Sequence, residues 1–141
     1  MAGAMLNTIS FFSPNSTVSD LHQDEDGSFE LPLAEDVRWT KQFQKNVVMA
    51  DVAFVLHPGF FGILEILPKW KSLLSASVQK ISSQNNMDPI FLIVKSKSVE
   101  RITIKKGEPI IRIQFMRRIC PRAVMVGRSE DEANDTWADW V

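Results

Sequence analysis

The sequence predicts a mostly β fold, a distorted jelly roll or β-barrel carrying one amphipathic helix, and three observations predict it. Apolar and polar residues alternate through 99–105 and again through 109–116, the period of half-buried strands, on either side of a Lys105-Lys106-Gly107-Glu108 turn. A second strand-turn-strand segment surrounds His57-Pro58-Gly59. Several short segments of this kind, divided by turn residues and accompanied by one stretch at helical spacing, describe packed sheets rather than a helical bundle.

Residues 9–12 form a short first strand, and Ser13-Pro14-Asn15-Ser16 ends it, because proline presets φ while Asn and Ser bond their own backbone. Residues 22–27 read as a solvated loop. Residues 29–33 alternate weakly before Glu35-Asp36 interrupts them, and 38–45 is a polar stretch. Residues 47–56 are β-branched and apolar, which suits a strand buried on much of both faces. Pro58-Gly59 turns the chain into a further strand at 60–67, making a hairpin or a corner.

Pro68 then opens a different pattern. Trp70, Leu73, Leu74, Val78 and Ile81 recur at helical spacing behind a first-turn proline, so a helix is expected over 69–82, its apolar stripe capping the open side of the sheets. Residues 83–88 are loop and 89–94 return to strand. In 99–105, Val99, Arg101, Thr103 and Lys105 share one side and Ile102 and Ile104 the other; in 109–116, Ile111, Ile113 and Phe115 oppose Ile110, Arg112 and Gln114. The expected division is a β domain over 1–128 and an acidic tail over 129–141 that carries Trp137 and Trp140.

At 141 residues the chain is long enough to bury roughly two-thirds of the surface of its unfolded form in one domain. No apolar run is long enough to span a bilayer, so no membrane association is expected. The first residues lack the basic lead and long apolar core of a secretion signal, which places the expected location in the cytoplasm, or within a host cell for a viral protein. Cys120 stands alone and reads as a small buried hydrophobe.

A net charge of −1 argues against a general nucleic-acid surface, yet charge is segregated along the chain. Acidic residues gather in 20–30 and 130–139, while Lys95, Lys97, Arg101, Lys105, Lys106, Arg112 and further arginines make the segment between them basic. The acidic segments are expected to fold back over that basic face. His22 and His57 are too few and too scattered to suggest a metal site, so no metal and no cofactor is expected. Asp51 and Glu65 could face each other across the hairpin, though an exposed strand position explains each without catalysis.

These residues are similar to the motifs of the trimeric dUTPase and dCTP deaminase superfamily. Val52-Ala-Phe-Val-Leu-His-Pro-Gly-Phe-Phe-Gly resembles that family's strand, Pro-Gly-Tyr-Tyr-Gly turn and strand. Gly27-Ser-Phe-Glu-Leu followed by Leu33-Ala-Glu-Asp-Val resembles its first motif, and 98–114 resembles its late strand pair. The resemblance spans about two-thirds of the chain, in order, and implies a homotrimer.

The departures carry as much weight. Where the family places Arg-Ser-Ser or Arg-Ser-Gly to hold nucleotide phosphates, this chain has residues near Leu67, Pro68 and Lys69, and lysine lacks the bidentate fork of arginine. The family's base-reading hairpin, with its Tyr and water-orienting Asp, should fall before Ile90, where 84–89 offers only Asp88, and the chain contains no Tyr at all. Gly127 is the only glycine beyond Gly107, so a phosphate-closing glycine-rich arm is missing.

The deaminase branch needs a Glu shortly after the turn, and Glu65, its only candidate, comes two positions early when counted from Gly62. The remaining acid/base candidates are Glu65, Asp51 and Glu30, and the anion-binding candidates are Lys69 and Arg112. Trp137 and Trp140, three apart among acidic residues, are the expected partner-binding residues, since large aromatics gain most where they dock.

The function expected from this balance is an inactive dUTPase-like interaction module of phage or viral origin. The alternatives are a nucleotide enzyme with a rebuilt site and a nucleotide-sensing binder.

Overall fold

The computed structural model describes residues 9–117 and 123–127. Eleven strands follow in chain order: β1 (Ser10–Phe12), β2 (Phe29–Pro32), β3 (Val37–Trp39), β4 (Lys45–Met49), β5 (Ala53–Val55), β6 (Phe60–Ile66), β7 (Leu74–Ser75), β8 (Gln79–Ile81), β9 (Phe91–Ser96), β10 (Ile102–Ile104) and β11 (Pro109–Arg117). Every pairing is antiparallel. They form a four-stranded sheet in the order β2-β11-β6-β8, a three-stranded sheet β4-β9-β7, and two ribbons, β1-β5 and β3-β10. The arrangement is mostly β and jelly-roll-like, and among the described residues the sheets do not close into a barrel.

The core lies between the sheets. Leu31, Leu64, Ile111 and Ile113 from the four-stranded sheet meet Val48, Leu92 and Val94 from the three-stranded one, with Trp39 and Ile104 from a ribbon. Trp39 is fully buried, and its indole Nε1 donates to the Val94 carbonyl at 3.0 Å, which satisfies the one polar atom that burial would otherwise penalise.

Strand β10 follows the expected alternation, with Ile102 and Ile104 buried and Thr103 exposed. Its partner is β3, formed by residues 37–39, where the sequence suggests only an acidic break and a polar stretch; β11 instead joins β2 and β6. The Lys105-to-Glu108 turn therefore sends the chain from one sheet to another, with Gly107 supplying φ +91°. Likewise β5 and β6 sit in different sheets, so His57-Pro58-Gly59 is a corner.

The helix expected over 69–82 does not form. A single 3-10 turn at Pro68–Trp70 is followed by β7 and β8. Leu74 is buried, whereas Leu73 and Val78 of the expected stripe are exposed. The reason is tertiary. An amphipathic helix of this length depends on packing, while here the edges of β6 and β9 offer backbone partners, with Gly62 opposite Ile81 and Lys95 opposite Ser75.

Candidate functional site

Across the four-stranded sheet, Glu30 of β2, Arg112 of β11 and Glu65 of β6 stand in register. The strand period puts Glu65 on the face opposite Leu64 and Ile66, away from the core. Arg112 Nε donates to Glu65 Oε1 at 2.7 Å, and its Nη2 reaches the same oxygen. Nη1 lies 3.3 Å from Asp26 Oδ2, and Lys71 Nζ lies 3.5 Å from Glu65 Oε2. The guanidinium fork is thus closed on two carboxylates. The acidic loop of 20–30 does fold over the basic segment here, through Asp26.

Beside this network is a shallow hollow of about 450 Å³ lined by Asp24, Glu25, Asp26, Glu30, Leu67, Pro68, Lys69 and Arg112. Its four carboxylates outnumber its two cations, one of which is already engaged. Burial, a hydrogen bond with Asp24 and the Asp24 charge raise the Glu30 pKa, against the opposing influence of His22 and Lys69. Asp26 is held below the usual carboxylate range by the Ser28 hydroxyl and N–H, with a further contribution from Arg112.

The loop also gathers metal-ligand types that the sequence reading set aside. Glu30 N–H donates to the His22 carbonyl at 3.0 Å, which brings the two residues together across the loop. His22 Nε2 lies 3.1 Å from Asp24 Oδ1 and 3.8 Å from Glu30 Oε2, and the three side chains place their ligand atoms within 4.8 Å of one another. The signal in the sequence was the spacing of His22, Asp24 and Glu30 on a loop that returns on itself, legible only once the Gln23–Phe29 bridge is known.

Asp51 belongs to a different place. It is buried, and Ser13 Oγ at 2.8 Å, the Asn15 N–H at 2.9 Å and the Thr17 hydroxyl all donate to its carboxylate. Burial alone would raise its pKa, but these three donors lower it overall. It pins the 13–18 loop to the start of β5 and does not meet Glu65 across the turn. Trp137, Trp140 and Cys120 lie outside the described residues. Asp24, Glu25, Asp26 and Lys71 belong to the candidate site and were not singled out by sequence reasoning; charge segregation alone pointed toward the three acidic residues.

No protein-family model and no curated protein matches the chain. Solved structures do. A dUTPase from phage phi11 of S. aureus, a mutant described for its coordination of a structural Mg(II) ion, superposes with a TM-score of 0.70 at 17% identity, over 88% of this chain and 99% of that one. The fold is that of the dUTPases.

The Staphylococcus bacteriophage 80alpha dUTPase matches equally, with a TM-score of 0.70, 17% identity, and coverage of 88% and 99%. It is described as controlling transfer of virulence genes by a proto-oncogenic G protein-like mechanism. A mutant of that enzyme with dUpNHpp matches at a TM-score of 0.68 and 19% identity, over 88% of this chain and 90% of that one. In this dUTPase-like chain, Leu67, Pro68 and Lys69, which occupy the region where the sequence resemblance expects the phosphate-gripping Arg and Ser, form a wall of the acidic hollow.

Proposed function

We propose that this dUTPase-fold protein does not hydrolyse nucleotides and serves as a structural or regulatory interaction module, assembled as a homotrimer and acting inside a phage-infected host cell. The observation that carries this reading is the closed fork of Arg112. The guanidinium placed to meet an anion is bonded to Glu65 and Asp26, in a hollow where Lys69 faces four carboxylates. A triphosphate entering there would meet like charge and would have to displace a partly buried ion pair. The phage dUTPases among the structural neighbours, some described in signalling terms, support a phage origin and a regulatory role. In this reading the β domain is the scaffold, and Trp137 and Trp140 in the 129–141 tail contact the partner.

Incubation with the deoxynucleoside triphosphates and Mg²⁺, followed by product analysis and thermal shift, tests this directly. Neither turnover nor stabilisation is expected. Turnover would establish an enzyme with a rebuilt site around Glu30 and Glu65. Stabilisation without turnover would establish a nucleotide sensor, the reading favoured by Lys69, which has no ion-pair partner among the described residues.

A further inference from the structure

The chain entering β2 is one arm of a small antiparallel hairpin. Gln23 bridges Phe29, the Glu30 N–H donates to the His22 carbonyl at 3.0 Å, and the Asp24 N–H donates to the Ser28 carbonyl at 2.8 Å. Residues 22–24 and 28–30 therefore run side by side around a turn at 25–27, where Gly27 supplies φ +88°. Alternation along the two arms puts His22, Asp24 and Glu30 on one face and Gln23 and Phe29 on the other, where Phe29 packs against the core. His22 stands directly across from Glu30, and Asp24 is the next residue on the same face. Two scattered histidines offer no ligand cluster in the sequence; the hairpin builds one from a single histidine and two carboxylates.

The spacing suits an ion better than it suits the three side chains alone. His22 Nε2 lies 3.1 Å from Asp24 Oδ1 and 3.8 Å from Glu30 Oε2, the latter beyond hydrogen-bond reach. Nitrogen and oxygen ligands about 2.0–2.1 Å from one tetrahedral ion stand roughly 3.3–3.4 Å from each other, and the two separations straddle that value. Charge points the same way. The guanidinium of Arg112 is committed to Asp26 and Glu65, and among the described residues neither Asp24 nor Glu30 has a lysine or arginine within ion-pair distance. Neighbouring carboxylates without a fixed cation repel each other, and a divalent ion between them removes that repulsion. The turn is also braced from behind. Ser28 is fully buried, and its N–H at 3.0 Å and hydroxyl at 2.7 Å both donate to Asp26 Oδ1, while Arg112 holds the other oxygen of that carboxylate. Ligands carried on a braced hairpin are already in position before the ion arrives.

We propose that His22, Asp24 and Glu30 bind a divalent transition-metal ion of the zinc class, one ion per chain, with water completing a four-coordinate shell. The imidazole selects such an ion over Mg²⁺ and Ca²⁺, which prefer oxygen ligands throughout. The bound ion clips 22–24 to β2 through side chains as well as backbone, and it neutralises two of the four carboxylates in the acidic hollow. The site requires neither nucleotide nor turnover, so it goes beyond the reading of the chain as an interaction module and stands or falls separately from it.

The test is titration of the full chain, stripped with EDTA and dialysed, with zinc chloride alone, followed by calorimetry and by thermal denaturation. One Zn²⁺ per chain is expected, with a melting temperature that climbs as free Zn²⁺ rises and no comparable climb in Mg²⁺. His22→Gln and Glu30→Gln should each weaken Zn²⁺ binding at least about tenfold, while the metal-free melting temperature of each variant confirms that it folds. His57→Gln combined with Cys120→Ser removes the other histidine and the single cysteine of the chain, and should leave the affinity unchanged. Absence of Zn²⁺ binding by the wild type overturns the proposal, as does undiminished binding to His22→Gln and Glu30→Gln. Loss of binding in the His57 and Cys120 double variant would place the ion elsewhere, and Mg²⁺ matching Zn²⁺ would reduce the loop to an unselective acidic patch; either result also overturns it.

Discussion

Arg112 is bracketed by carboxylates, and its side chain and that of Glu65 are only 20% and 25% exposed. The pair lies between an exposed ion pair, which contributes well under 1 kcal/mol, and a buried one, whose disruption costs several. Arg112→Ala should lower stability by about 2 kcal/mol in urea denaturation, because Glu65 and Asp26 lose their partner. Arg112→Met with Glu65→Leu should return to within about 1 kcal/mol of the wild type, since matched apolar groups need no partner. Asp51 has a pH signature. Its folded pKa lies below the ordinary 3.8, so its contribution is complete above that value and is lost as pH falls through the lower folded value. Asp51→Asn should therefore cost about 2 kcal/mol at pH 7, and the gap between variant and wild type should narrow as the pH drops below 3.8.

At the level of elements, the strands that alternate cleanly were legible and the segment at helical spacing was not. Ile102 and Ile104 could only face one way in a half-buried strand, and they do. Trp70, Leu73, Leu74, Val78 and Ile81 satisfied a helical period, but a period is a local property and edge pairing is not. Gly62 illustrates the constraint that drew β8 onto the sheet. A Cβ built there would meet Ile113 Cδ1 at 2.7 Å, Ile113 Cγ1 at 3.0 Å and Ile81 Cγ1 at 3.2 Å, so β6 accepts its two neighbours only because this position has no side chain. Gly62→Ala should cost about 1–3 kcal/mol by overpacking, measured by thermal denaturation. Trimming the neighbour with Ile113→Val should make the glycine substitution less costly in a double-mutant cycle, because Cδ1 makes the closest of these contacts.

For the whole molecule, the homotrimer proposed from the dUTPase resemblance should give a light-scattering mass of three times the 16.0 kDa chain; a monomer at micromolar concentration would remove that part of the proposal. The likeness in fold reached across 17% identity because a fold needs only strand period, turn chemistry and volume, which many sequences satisfy. The candidate site was half legible. Glu30, Glu65, Arg112 and Lys69 were singled out as chemistry-bearing residues, but which carboxylate would take the guanidinium depended on the register of β2, β11 and β6, with Asp26 reaching in from a loop. By itself the sequence determined that the chain builds strands around an apolar interior, and that the groups expected to grip a phosphate are replaced near Leu67, Pro68 and Lys69. Those are properties of single residues and their period. Only the tertiary structure decided that the late strands part company, that Arg112 is closed on Glu65 and Asp26, and that Asp51 anchors a loop. Each of these depends on which distant strand comes to lie alongside, and pairing between distant segments leaves no trace in a local pattern.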